Sequence, residues 1–199
     1  ILFHVSRTTI ARKLAYWGKV CRDEHRVFLD DNKHKVDVLQ FDELQTIEHT
    51  KCKPLAVAVV VSVDSRKILG IEVSSMPATG HLAAISRKKY GKRPDHRFRT
   101  MKSLFADLSE HLPQNLDIVS DKCSFYAPII TRYFPNARYR QFKGQKGSVH
   151  GQGELKNGAR DPLFYINHSL AMLRANINRL VRKSWCTTKK IPRLLDHLA

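Results

Sequence analysis

Apolar and polar positions alternate or run together in three stretches, 36–43, 54–63 and 67–75, each of strand length and rich in β-branched residues. The most apolar, "LAVAVVV" at 55–61, predicts a strand buried on both faces. The "DSRK" turn between the last two predicts a hairpin, so the three form a meander. Residues 79–96 are basic and break the pattern. From 97 to 111 the period changes: Phe98, Met101, Leu104, Phe105 and Leu108 fall at helical spacing. "LDIVSDK" at 116–122 predicts a strand ending in Asp121, "SFYAPIITRYFP" a short helix, and "ARYRQF" at 137–142 a short strand. Five of the nine glycines lie in 143–160, which predicts a loop. "DPLFYINHSLAMLRANINRLVRKSW" predicts a long last helix with Asp161 as N-cap and Pro162 in the first turn. The predicted order is β-β-β-α-β-α-β-α.

Ahead of this region, "HVSRTTIARKLAYWGK" predicts a helix opened by Ser6 and closed by Gly18. Ile10 and Leu14 form its apolar stripe, and Arg7, Thr8, Arg12 and Lys13 lie off it. The segment is similar to the second helix of a helix-turn-helix, whose first residues enter the major groove; an ordinary surface helix reads almost as well. Residues 19–35 are polar and read as a further helix or a linker. The predicted division is 1–35, a partial DNA-binding segment, and 36–199, a single α/β domain.

Charge narrows the function classes. Thirty-five Lys and Arg against 18 Asp and Glu give a formal +17 over 199 residues, which favours a polyanionic partner. A hydrophobic content of 42% supports a packed core, and no apolar run approaches the length of a membrane span. Cys21, Cys52, Cys123 and Cys186 lack zinc-site spacing and read as reduced thiols. No stretch has a signal-peptide pattern, and a start at Ile1 reads as a fragment.

The candidate chemistry begins at "DVLQFDELQT", 37–46, where Asp42 and Glu43 interrupt an apolar alternation. A carboxylate in a buried strand is costly unless compensated. Either Asp42 or Asp121 alone reads as a turn former or helix cap. Together, in this element order, they match the ribonuclease H-like arrangement, in which the first and fourth strands are neighbours. Converging carboxylates need a cation, and Mg2+ favours carboxylate oxygen and phosphate. Glu43, next in the strand, points to the opposite face.

The stretches "FDELQT" (41–46), "RTMKSLFADL" (99–108), "SDKCSFY" (120–126) and "LRANINRLVRKSWCTTKK" (173–190) carry a family resemblance. Over about 36–199 the chain resembles DDE-superfamily transposases, nearest the bacterial insertion-sequence-one family. The resemblance implies a ribonuclease H-like mixed sheet with flanking helices and Mg2+-dependent cleavage and joining of DNA. Two metal ions are implied, with Mn2+ as a substitute. Asp42 and Asp121 match the first two catalytic aspartates. The third position, Glu in relatives, is Asn167 here; Asn also occurs in some related groups. Asn167, Arg174 and Asn178 share the edge of the predicted helix, about 100° from its apolar face. An alternative third ligand is Glu154 on the Gly-rich loop. His168 falls on the far side and Asp161 is a cap.

Partners implied are the element's terminal inverted repeats, target DNA and a second copy of the chain, in the bacterial cytoplasm at the nucleoid. Expected DNA contacts are Arg7, Arg12, Lys13, Lys88, Lys89, Lys92, Lys146 and Arg174, within wider clusters that include Arg87, Arg93, Lys143, Lys156, Arg179, Arg182, Lys183, Lys189 and Lys190. Two rival functions remain: a ribonuclease H-like nuclease without strand transfer, and a DNA-binding remnant that has lost catalysis.

Overall fold

In the computed structural model, residues 5–143, 161–180 and 190–199 are described. Helix α1 (Arg7–Asp31) precedes strands β1 (Val38–Ile47), β2 (Pro54–Ser62) and β3 (Ile68–Ser75). Helices α2 (Leu82–Tyr90) and α3 (Arg97–His111) lead to β4 (Asp117–Asp121), α4 (Tyr126–Tyr133) and β5 (Arg138–Phe142). Helices α5 (Phe164–Asn176) and α6 (Ile191–Leu198) follow. The strands form one mixed sheet in the order β3-β2-β1-β4-β5. β2 is antiparallel to β1 and β3, whereas β4 is parallel to β1 and β5. The result is an α/β sheet flanked by helices.

Alternation along β1 builds two cores. Leu39 and Phe41 face α3 and α4 with Phe105, Leu108, Tyr126 and Ile130. Leu44 faces the other layer with Val57, Val59, Ile166, Leu170 and Leu194. Each fully buried aliphatic or aromatic side chain contributes about 1.5–3 kcal/mol of transfer free energy. Gly70 lets α3 approach β3 closely, since a Cβ there would stand 2.7 Å from Leu104 Cδ1.

Several expectations are corrected. The first helix does not stop at Gly18 but runs on to Asp31. Gly18 is there for closeness: a Cβ would lie 2.8 Å from Asp196 Cα on α6. Beyond it, Leu29 enters the core, and His25 Nε2 donates to the Ile68 carbonyl (3.0 Å) on strand β3. Residues 19–31 are thus packed helix and not a linker. The basic stretch 79–96 contains α2, anchored where Ser86 Oγ donates to the Cys52 carbonyl (2.6 Å). β1 continues past Asp42 and Glu43, held by β2 as far as the Ile47–Pro54 pair. Phe98, expected in the core, is 50% exposed and meets Phe125 edge-on. The long last helix stops at Asn176, because Ile177 turns extended, with a 3-10 turn over Asn178–Leu180. The apolar face predicted across Ile177 and Leu180 is therefore not a continuous helical face, although both side chains still reach the second core.

Among the described residues no helix is long and apolar enough to cross a membrane. Cys21, Cys52 and Cys123 are free thiols, and Cys186 lies outside the described residues.

Candidate functional site at the β1–β4 junction

From β1 the chain goes one way to β2 and β3, and later crosses to β4 and β5 on the other side. Such a reversal opens a crevice at the carboxyl ends of the parallel strands, a preferred place for ligands. β1 and β4 pair from Val38–Asp117 to Phe41–Ser120, and the next residue on each strand is a carboxylate: Asp42 and Asp121. β4 ends there, while β1 continues without that neighbour.

Cross-strand partners fix the face. Asp42 stands opposite Val59, and Asp121 opposite Phe142. Val59 and Phe142 both belong to the layer under α5. The two aspartates therefore share the α5 face, each half-buried. Glu43, opposite Ala58, belongs to the α3 face.

Local hydrogen bonds hold the carboxylates. Asp42 Oδ1 accepts from the Glu43 N–H (2.6 Å), and Asp121 Oδ1 accepts from the Cys123 N–H (3.3 Å). The Asp121 carbonyl accepts from Ser120 Oγ (2.8 Å) and Gln141 Nε2 (3.0 Å), which fixes the end of β4. Burial raises the Asp121 carboxyl above the usual carboxylate range, and the Cys123 N–H opposes this. A divalent cation would relieve that penalty.

Gln40, buried on the same face two residues before Asp42, pins the start of α5. Its Nε2 donates to the Pro162 carbonyl (2.8 Å), and its Oε1 accepts from the Ile166 N–H (3.0 Å). Residues two apart on a strand lie about 6.8 Å apart, so the first turn of α5 is held over the same face of the sheet as the aspartates. Asn167 is in that turn. Its Nδ2 donates to Asp161 Oδ2 (2.8 Å), and Asp161 Oδ1 accepts from the Leu163 N–H (2.9 Å). Asp161 is therefore not the N-cap expected, nor is Pro162 in the first turn: the helix opens at Leu163 without a side-chain cap, and Asp161 closes the turn ahead of it and orients the Asn167 amide. Gln40 was not singled out in the sequence; a lone Gln inside an apolar alternation was the available signal.

On the opposite face, Arg97 donates from Nε (3.0 Å) and Nη2 (2.7 Å) to Asp95, and its Nη1 lies 3.7 Å from Glu43. Burial pushes the Glu43 carboxyl up to about 7, despite the lowering effect of Arg97; Asp42, Asp95 and Asp121 add to the rise. A carboxyl raised in the folded state binds its proton more tightly there than in the unfolded chain. Its contribution favours folding at low pH and is lost as pH climbs from about 4.5 to 7. Glu43→Gln should remove that slope, with a gain on the order of 3 kcal/mol above pH 8 relative to the parent. Urea unfolding at pH 5 and pH 8 measures this; equal pH slopes in both proteins would refute it.

The expected DNA contacts separate into groups. Lys88, Lys89 and Lys92 are exposed on and after α2. α2 follows the end of β3 that pairs with the start of β2, so these cations sit at the same end of the sheet as the carboxylates. Arg7 and Arg12 line a shallow groove against α6 with Arg193, whereas Lys13 is exposed elsewhere on α1. Arg174 is exposed on α5, and so is His168, beside the Phe164 ring. Glu154 and Lys146 lie outside the described residues.

Among the described residues no group of three or more His, Cys, Asp or Glu side chains is arranged to hold a metal ion. The candidate set is two carboxylates plus an amide, all oxygen donors, which suits Mg2+. No protein-family model matches the chain, and no curated protein matches it.

Proposed function

We propose that the chain is a metal-dependent DNA transposase of the DDE type, here with Asp42, Asp121 and Asn167, which cleaves the ends of an insertion sequence and joins them to target DNA. The observation that carries this reading is the β1–β4 register, which sets two aspartates side by side where the parallel strands end. The strand order and directions are compatible with a ribonuclease H-like arrangement. The +17 charge and the exposed lysines at the same end of the sheet suit a DNA path.

On this reading Asp42 and Asp121 would hold Mg2+ or Mn2+, with the Asn167 amide oxygen beside them. When bound, the metal ions activate an attacking oxygen and stabilise the leaving one. The protein supplies rigid placement: Gln40 fixes α5 against β1, and the β4 hydrogen bonds fix Asp121. Lysines on and after α2 hold phosphates without reading bases.

The direct test uses DNA carrying the inverted repeats that flank the reading frame, a supercoiled target plasmid and Mg2+ or Mn2+. Joined repeat–plasmid products support the transposase reading. Nicking without joining supports a nuclease, and binding without either supports a remnant.

The remnant has one observation in its favour, the bond from the Asn167 amide to Asp161. Asn167→Glu separates the two. The new carboxylate would face Asp161 and repel it, so without metal the variant should melt a few degrees lower. With Mg2+ added in excess, its melting temperature should rise more than the parent's. An equal Mg2+ shift in both proteins would remove Asn167 from the metal site.

A further inference from the structure

Among the described residues, helix α1 packs through one broad side. Gly18, Arg22, His25 and Leu29 face α6, β3 and the core. Away from them, from about a quarter turn round at Ile10 to the opposite side at Val27, runs a second stripe: Ile10, Lys13, Trp17, Val20, Glu24 and Val27, spaced 3, 4, 3, 4, 3 as in a coiled-coil seam. Ile10, Trp17 and Val27 are 59%, 58% and 60% exposed, and Lys13 and Glu24 are exposed as well. None of the four apolar residues joins either core among the described residues. Isolated apolar residues on a surface need no explanation; a seven-residue spacing that recurs along a 25-residue helix does.

The stripe is complementary to itself reversed. If a second α1 lies antiparallel, centred between Gly18 and Lys19, Ile10 meets Val27 of the second copy and Trp17 meets Val20. Lys13 then meets Glu24. Each contact occurs twice by the two-fold axis, as an isologous interface requires. A parallel pairing would instead set Lys13 against Lys13 and Glu24 against Glu24.

We infer that α1 is a dimerisation helix that pairs antiparallel with α1 of a second copy, its register set by Lys13 against Glu24. This stands on α1 alone and does not depend on the catalytic reading. It also assigns Lys13 to a protein contact and not to DNA.

Sedimentation of the full chain, nuclease-treated and free of DNA and metal, tests it across a concentration series. A monomer–dimer equilibrium is expected. Trp17→Glu, on an exposed position that folding does not need, should weaken it by roughly thirty-fold, the effect of losing a central aromatic anchor. Lys13→Glu alone and Glu24→Lys alone should each weaken it, and the double exchange should restore the parent's dissociation constant to within about twofold. Restoration cannot come from a merely structural role. A monomer at every concentration overturns the inference, as does a dimer indifferent to Trp17→Glu. A double exchange that weakens association further overturns the antiparallel register. Because no DNA is present, these outcomes are separate from success or failure of the strand-transfer assay.

Discussion

Asp42→Asn and Asp121→Asn should each lower strand transfer by on the order of a thousand-fold while DNA affinity stays equal or rises. Each change keeps the size and one oxygen of the side chain and removes the charge that would hold a metal ion. Both residues stand at the β1–β4 junction, at the same end of the sheet as the cations of α2 and its following loop. Removing a carboxylate from a DNA path reduces repulsion, so binding has no reason to fall. Stability should hold too, since Asp121 is strained as an anion by burial and its neutral analogue keeps the acceptor for the Cys123 N–H. Glu43→Gln is the control: one residue along, on the other face, it should leave strand transfer within about threefold. Strand-transfer rates, affinity by fluorescence anisotropy and melting temperatures separate the outcomes. Full activity in either Asn variant would end the catalytic assignment, and loss of folding would make the role structural.

Phe41→Ala should be the most damaging single truncation for stability, by about 3–5 kcal/mol. Phe41 is fully buried on the central strand. Its ring centroid lies 4.8 Å from that of Phe105, 4.7 Å from Tyr126 and 6.4 Å from Tyr139. One side chain therefore ties β1 to α3, α4 and β5. Those neighbours belong to three separate elements and cannot all collapse into the space left, which puts the expected loss at the upper end of the range. The melting temperature should fall by on the order of 10 °C. Chemical unfolding followed by circular dichroism measures it, and a loss below about 1 kcal/mol would show that the cluster repacks.

The sheet was legible because its strands carry strong local signals. "LAVAVVV" could be little else, and "DSRK" marks the hairpin, where Arg66 takes φ 58. The two aspartates were legible as a pair only through the element order and then the resemblance, since nothing local distinguishes Asp121 from a helix cap. Gly18 misled because a glycine near a helix end and a glycine under a crossing helix look alike; its reason is Asp196, far along the chain. The stretch 79–96 hid α2 because its turns are polar on most sides and it leans on the β1–β2 connection through Ser86. Ile177 misled in the opposite sense, with apolar periodicity continuing after the backbone had left the helix. Periodicity reports which side chains are buried, and tertiary contacts decide how the chain reaches them.

The β1–β4 junction also has a history within each molecule. β1, β2 and β3 are joined by short turns, so the meander can form from local encounters. The Phe41–Ser120 pairing has β2, β3, α2 and α3 between its partners in sequence, and long-range parallel pairing of this kind is slow. Asp42 and Asp121 thus come together only once that long-range pairing has formed. A partly folded molecule would carry the same lysines and could hold DNA, but its two carboxylates would be apart. On the proposed function, cutting would then depend on that pairing, so a chain whose two carboxylates are still apart would hold DNA without acting on it.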